Sequence, residues 1–332
     1  MAGLRLGAMA AALAAGLALL PAASAQGGGE PKMERVPDRQ PGEGAGPFRR
    51  LVIRGATLID GSGAPPRGPV DIVVAGNRIE SIRAAGTPGL PLRPNREPRG
   101  ADHEIDATGM YVLPGFVDVH GHNGDPDKAP NASYGYRLWL AHGVTTVRGV
   151  SLYFGDEAMS RSDRQRSAAN TIVAPRLYDY AALGDWPNGD VETPERARAF
   201  VQWAAQRGFH GIKFFNDVPA AVTEAAIQEA RRLHLGTVAH LGQSGVAEVN
   251  ADRATAMGLQ GVTHFYGHFE SLLRDRRIPS YPADYNMFDE QWRFSQVARL
   301  ADQIVEPGGP EWQAYLGRLL ERRVFLSPTF NI

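Results

Sequence analysis

From Leu51 onward the chain alternates between short apolar runs and longer stretches in which apolar positions recur three or four residues apart. The first region holds LVIRGATLID, DIVVAGNRIESIR and HEIDATGMYVL, separated by Gly and Pro clusters and a Pro-rich loop from Gly86 to Gly100. Short β-rich runs bounded by turn residues predict strands, here a small antiparallel sheet over about 50–112. After His122 the texture changes. YVLPGFVDVHGH (111–122) leads into GVTTVRGV (143–150), TIVAPRLYDY (171–180), GIKFFND (211–217), GTVAHLG (236–242), GVTHFYG (261–267) and VFLSPTF (324–330), all read as strands. Helical patterns lie between them. TPERARAFVQWAAQRG offers Thr193 as N-cap, Pro194 at the first helical position and Gly208 as terminator. PAAVTEAAIQEARRLHLG starts at Pro219 and has Gly236 just past its end. Alternating strands and helices predict a parallel sheet with helical crossovers, and seven such strands are one short of a TIM-type (β/α)8 barrel. The segment His268–Arg323 is expected to be an insertion over the barrel mouth.

Composition narrows the field. The 332 residues are 43% hydrophobic and 21% charged, enough for a large core. The net charge of -1 gives no basic excess for a phosphate backbone, so nucleic acid is not an expected partner. With no cysteine there is no disulfide, thiolate metal site or cysteine nucleophile, and any metal must be held by His, Asp, Glu or a modified side chain. Residues 1–25 carry one arginine, an Ala/Leu/Gly run and small residues at Ala23 and Ala25, which predicts a signal peptide cleaved before Gln26. The mature protein is then exported, to the periplasm of a Gram-negative bacterium. It is expected to act on a small-molecule substrate with no membrane attachment, with a homo-oligomer left open. Residues 26–49 are Gly, Pro and charge and read as a flexible leader.

Barrel chemistry sits at the C-terminal ends of strands. There the chain places His120 and His122, then Lys213, His240 and His264. From His122 to Lys213 is 91 positions, about three βα units; the next two intervals are 27 and 24. Residues i and i+2 of a strand share a face, so His120 and His122 can share one ligand. A lone strand-end histidine is more often a satisfied polar residue, but five such groups at one mouth point to metal. The lysine is the odd member, because an ammonium has no lone pair. A buried lysine beside cations loses its proton. As a neutral amine it can add carbon dioxide to become an anionic carbamate able to bridge two metals.

LPGFVDVHGH, GVTTVRG, GIKFF, VAHLG and GVTHFYG resemble the amidohydrolase superfamily, nearest its imidazolonepropionase-like and prolidase-like branch, over about residues 50–330. The resemblance implies a distorted barrel, 113–332, beside a small N-terminal β-sandwich, 50–112. It implies one or two divalent metals, commonly zinc; two zinc ions are expected here, with Mn, Fe or Co as alternatives and carbon dioxide bound as the lysine carbamate. His120, His122, His240 and His264 match the family's histidine ligands, and Lys213 its carbamylated lysine. The implied reaction is attack by metal-activated hydroxide on the carbon–nitrogen bond of a small amide, dipeptide or cyclic amide. A deaminase on the same scaffold and a non-catalytic, decayed relative are the alternatives.

The family's catalytic aspartate at the end of strand eight has no match here; Asp118 and Asp217 lie on earlier strands. A barrel lacking a strand exposes two edges. The chain is therefore expected to be a fragment truncated at its C-terminus, hydrolysing little by itself. His268 and Tyr266, in the strand-six loop, and Arg148, after GVTTV at the mouth, are candidate substrate-binding residues.

Overall fold

The computed structural model describes residues 32–329 apart from 124–126, 154, 216–217, 243–244, 276–277, 285 and 287–288. The signal-peptide assignment and Asp217 lie outside the described residues.

The first sheet contains β1 (Arg50–Leu58), β2 (Arg67–Ala75), β3 (Arg78–Ala84), β4 (His103–Asp106) and β5 (Tyr111–Val112). Its order is β3-β2-β1-β4, with β5 also on β1. It is mixed rather than antiparallel, because β4 and β5 return parallel to β1 after the long Pro-rich connection. Among the described residues this region supplies one sheet, not two facing ones. YVLPGFVDVHGH therefore contains two strands. Tyr111 and Val112 pair with β1, whereas β6 (Phe116–Gly121) begins the second sheet. Pro114, which has no N–H to give a ladder, lies at the change.

The second sheet is all parallel. It runs in chain order from β6 through β7 (Val144–Val150), β8 (Arg176–Ala182), β9 (Gly211–Phe215), β10 (Gly236–His240) and β11 (Gly261–Thr263) to β12 (Phe325–Ser327). These are the seven strands that the hydrophobic runs predict, in a nearly closed barrel. The crossovers carry α1 (Ser133–Ala141), α2 (Glu157–Ala168), α3 (Pro194–Gln206), α4 (Ala220–Arg232) and α5 (Ala251–Ala256). Thr193 caps α3 as expected, its side chain accepting the Arg196 amide. The end of α4 differs: His234, at φ 57°, takes the left-handed position after the helix, and Gly236 opens the next strand. The segment after β11 forms a short 3-10 helix (Phe269–Leu272), α6 (Glu290–Ser295), α7 (Val297–Ala301) and α8 (Pro310–Glu321). Its last part is an ordinary crossover rather than an insertion: Arg318 and Arg322 of α8 grip Asp252 of α5 at 2.8 and 2.7 Å.

Outward-facing Ile212 and Phe214 of β9 and Ala239 of β10 join α3 and α4 in the main core, where Phe200, Ile212 and Ile227 are fully buried. The inner face is built differently. Gly211, Gly236 and Gly261 open three successive strands at 25-residue intervals. The Tyr180 ring lies over Gly211 and Gly236, and the Phe325 ring over Gly261, so close that a Cβ at any of the three would collide.

The leader is not flexible where it is described. Val36 is 2% exposed and joins the cluster of Tyr136, Leu152 and Ile172. Glu34 N donates to Pro130 O at 2.7 Å and Arg39 N to Thr171 O at 2.8 Å. Arg166 of α2 donates to Val36 O and pairs with Asp38, both at 2.6 Å. One buried valine and two arginine contacts suffice to dock a segment whose composition reads as disordered.

Asp179 of β8 is 1% exposed and accepts the amides of Leu152 and Tyr180 and the Ser160 hydroxyl. Burial outweighs those bonds and pushes its pKa up to about 6. The native state thus holds this proton more tightly than the unfolded chain. Its stabilising contribution is complete below about pH 4 and is lost as pH rises through about 6. Urea unfolding between pH 4 and 7 is expected to show Asp179→Asn gaining on the wild type as pH rises. Parallel stability curves would refute this.

Candidate active site

His120 and His122 end β6 with their Nε2 atoms 3.2 Å apart. The Nδ1 of His122 lies 3.1 Å from the carbonyl oxygen of Ser151, which can only accept. Nδ1 therefore carries the proton and Nε2 presents its lone pair to His120. Ser151 adopts φ 70°, a left-handed conformation at the end of β7 that places this carbonyl. The His120 amide is fixed by Asp118 Oδ1 at 2.9 Å, while Asp118 Oδ2 accepts Trp139 Nε1 at 3.0 Å. Asp118 is thus tied to β6 and α1.

The other two histidines come to meet this pair. Ring centroids are 4.9 Å apart for His120 and His264, and 4.7 Å for His264 and His240. His264 follows β11 at φ 61°, the second non-glycine residue of the site in the left-handed region. Its amide donates to Ser327 O at 2.9 Å, and its Nδ1 faces Thr329 Oγ1 at 2.5 Å. The Tyr266 ring stacks on His240 at 4.9 Å and is 1% exposed, so it forms the wall behind that histidine.

Lys213, in the middle of β9, is fully buried. Its Nζ donates to Thr263 Oγ1 at 3.2 Å, and Thr263 donates onward to Ala239 O at 2.9 Å. Burial, reinforced by the Arg148 charge, brings its pKa down to about 7. His120 is driven down to about 2, first by burial and then by Lys213, His122 and His264. Burial also lowers His122. Burial thus favours the neutral form of His120 and His122.

The remaining candidates divide. Arg148 is held by contacts across the sheet, and its charge reaches Lys213 and His120. Its Nε donates to Val119 O at 2.8 Å, and its guanidinium carbon lies 4.7 Å from the Phe325 ring and 5.4 Å from Tyr180. Its Nη2 is buried with no hydrogen-bond partner. His268 is engaged outside the four-histidine group, with Nδ1 2.5 Å from the hydroxyl of Tyr315 in α8. The supporting residues Ser151, Thr263 and Thr329 carry no sequence signal of their own, except that Thr263 shares the inner face of β11.

Among the described residues no three His, Asp or Glu side chains already stand in ligand geometry. The fit to a divalent cation is chemical. Four imidazoles cluster ring to ring, burial favours the neutral form of His120 and His122, the His120 Nδ1 has no partner among the described residues, and the Lys213 charge reaches both His120 and His122. His nitrogen and a carboxylate-like oxygen are borderline and hard donors suited to zinc and its neighbours.

No family model matches the chain. Over 151 residues it is 33% identical to N-acyl-D-aspartate deacylase of Alcaligenes xylosoxydans xylosoxydans, covering 43% of this chain and 26% of that one. Over 210 residues it is 29% identical to allantoinase of Rubrobacter xylanophilus, covering 62% and 43%. Over 169 residues it is 25% identical to dihydroorotase of Shouchella clausii, covering 48% and 38%. The chain therefore spans less than half the length of each of these curated relatives. Among solved structures, a Xaa-Pro dipeptidase superposes with a TM-score of 0.56 at 18% identity, over 84% of this chain and 66% of that one. Molinate hydrolase gives 0.54 at 16% identity, over 84% and 63%. These two likenesses speak for the fold.

Proposed function

We propose that the chain is a member of the amidohydrolase superfamily and that its protein is a metal-dependent hydrolase of the carbon–nitrogen bond in a small carboxylated amide, such as an N-acyl amino acid or a dipeptide. The observation that carries this reading is the clustering of four imidazoles near a buried lysine whose pKa burial brings down to about 7.

In this reading His120, His122, His240, His264 and Lys213, the last as its carbamate, would hold one or two divalent cations, zinc in the first instance. Such a cation lowers the pKa of bound water towards about 7 and polarises the amide carbonyl. The chain's own residues prepare the site. Ser151 keeps His122 protonated at Nδ1, so that Nε2 carries the lone pair. Thr263 holds Nζ of Lys213, and the Arg148 charge both disfavours the ammonium and favours the anionic carbamate. Tyr266 excludes water behind His240. The similarity to an N-acyl-D-aspartate deacylase makes an acylated amino acid the first substrate to try.

The test is a panel of N-acyl amino acids, dipeptides ending in proline and cyclic amides, offered to protein purified with zinc. Release of free amino acid from the carboxylated amides is expected, with loss on chelation and return with zinc. Turnover that survives complete chelation would sink the metal reading. Release of ammonia alone would favour a deaminase.

A further inference from the structure

A buried polar chain links the N-terminal strap to the residue after His122. The side-chain amide of Asn123 donates to the Tyr136 hydroxyl at 3.0 Å, and that hydroxyl donates to Asp163 Oδ2 at 2.9 Å. The Tyr153 hydroxyl donates to the same oxygen at 2.6 Å. On the other side Arg166 lies 3.5 Å from Asp163 Oδ1 and is itself held by Val36 O and Asp38 of the strap. Tyr136 and Asp163 are fully buried. Packing alone does not call for a carboxylate there, and no step proposed above uses it.

The geometry at the far end gives this chain a purpose. The Asn123 amide donates to Leu152 O at 2.7 Å, one residue beyond the Ser151 carbonyl that fixes the His122 ring. Asn123 is thus held from two sides, by β7 through its backbone and by Asp163 through Tyr136. We infer that the relay Asp38–Arg166–Asp163–Tyr136–Asn123 is a positioning device that sets the orientation of the His122 ring. Tyr136 and Asp163 touch neither substrate nor cation; they act through Asn123. The inference rests on the reading of His122 as a ligand.

Two conservative variants of the full chain separate positioning from simple stability. Tyr136→Phe and Tyr153→Phe each remove one hydroxyl from Asp163, but only the first cuts Asn123 loose. Both are expected to lower the melting temperature. Only Tyr136→Phe is expected to weaken Co²⁺ binding, by about tenfold or more on the scale of lost support to a ligand, and to alter the visible Co²⁺ spectrum. In metal-free protein, the ¹⁵N signals of the His122 ring are expected to pass from one tautomer to a mixture in Tyr136→Phe alone. Asp38→Ala, which cuts the strap's ion pair, is expected to shift those signals in the same direction.

Equal effects from the two tyrosine variants, or unchanged His122 signals in Tyr136→Phe, would overturn the positioning role. Unchanged signals in Asp38→Ala would overturn the strap's part in it. A wild type that binds no Co²⁺ would instead refute the ligand reading, and the ring signals would still decide the relay.

Discussion

Lys213→Ala is expected to empty the site of metal and to lower kcat/KM on a carboxylated amide by roughly a thousandfold or more, the scale of losing one preorganised electrostatic group. The reason lies in the charge of the ligand set. The other four proposed ligands are imidazoles, which supply no negative donor, and a fully buried lysine supplies the only route to one among them. Alanine removes that donor and leaves space behind Thr263. A small carboxylic acid such as acetate is then expected to restore part of the metal content and rate, because it brings back an oxygen anion of similar shape. Lys213→Met keeps the bulk and the packing against Phe215 but offers no oxygen, so it is expected to fold like the wild type and stay empty. Metal analysis of the purified proteins is the measurement. Full metal occupancy in Lys213→Met would show that the lysine is structural, and acetate rescue would then have no meaning.

The central strands were legible because burial on both faces demands continuous apolar runs, while β6 and β12 at the ends of the sheet keep apolar runs though largely exposed. The same rule drew attention to His120, His122, His240 and His264, at or near the C-terminal ends of such runs, whereas Lys213 lies in the middle of β9. What the sequence conceals follows from contacts of long separation. The direction of β4 and β5 depends on a crossing of the Pro-rich loop, not on any local pattern. Val36 sits in a stretch of glycine, proline and charge, yet is buried because Tyr136 and Leu152, 100 and 116 residues away, form its pocket. His268 and Arg148 illustrate the limit for site residues. Position at a strand end puts both near the mouth, but their orientation is fixed by partners on other elements, Tyr315 in one case and Val119 with Phe325 in the other. Ser151 shows it most sharply: its contribution is a carbonyl oxygen and a left-handed φ, and neither belongs to its side chain.

Gly236→Ala is the second large expected effect, with a loss on the order of 3 kcal/mol, near the upper end for overpacking. The backbone there does not require glycine; only space does. A Cβ at this position would stand 2.0 Å from the Tyr180 hydroxyl and 2.7 Å from its Cζ. Tyr180 cannot easily retreat, because its ring also lies over Gly211 and stacks near the Arg148 guanidinium. Overpacking should therefore spread along the inner face of β8, β9 and β10 towards Lys213, two residues along from Gly211. Tyr180→Phe in the Gly236→Ala background removes the 2.0 Å contact but leaves the one at 2.7 Å, so partial recovery is expected. Tyr180→Leu, which withdraws the ring, should recover more despite being the poorer filler by itself. The coupling read from urea unfolding of the four proteins in each cycle is the deciding quantity. Additive losses would mean that the first residues of β9, β10 and β11 are glycine for a reason other than the rings that cover them.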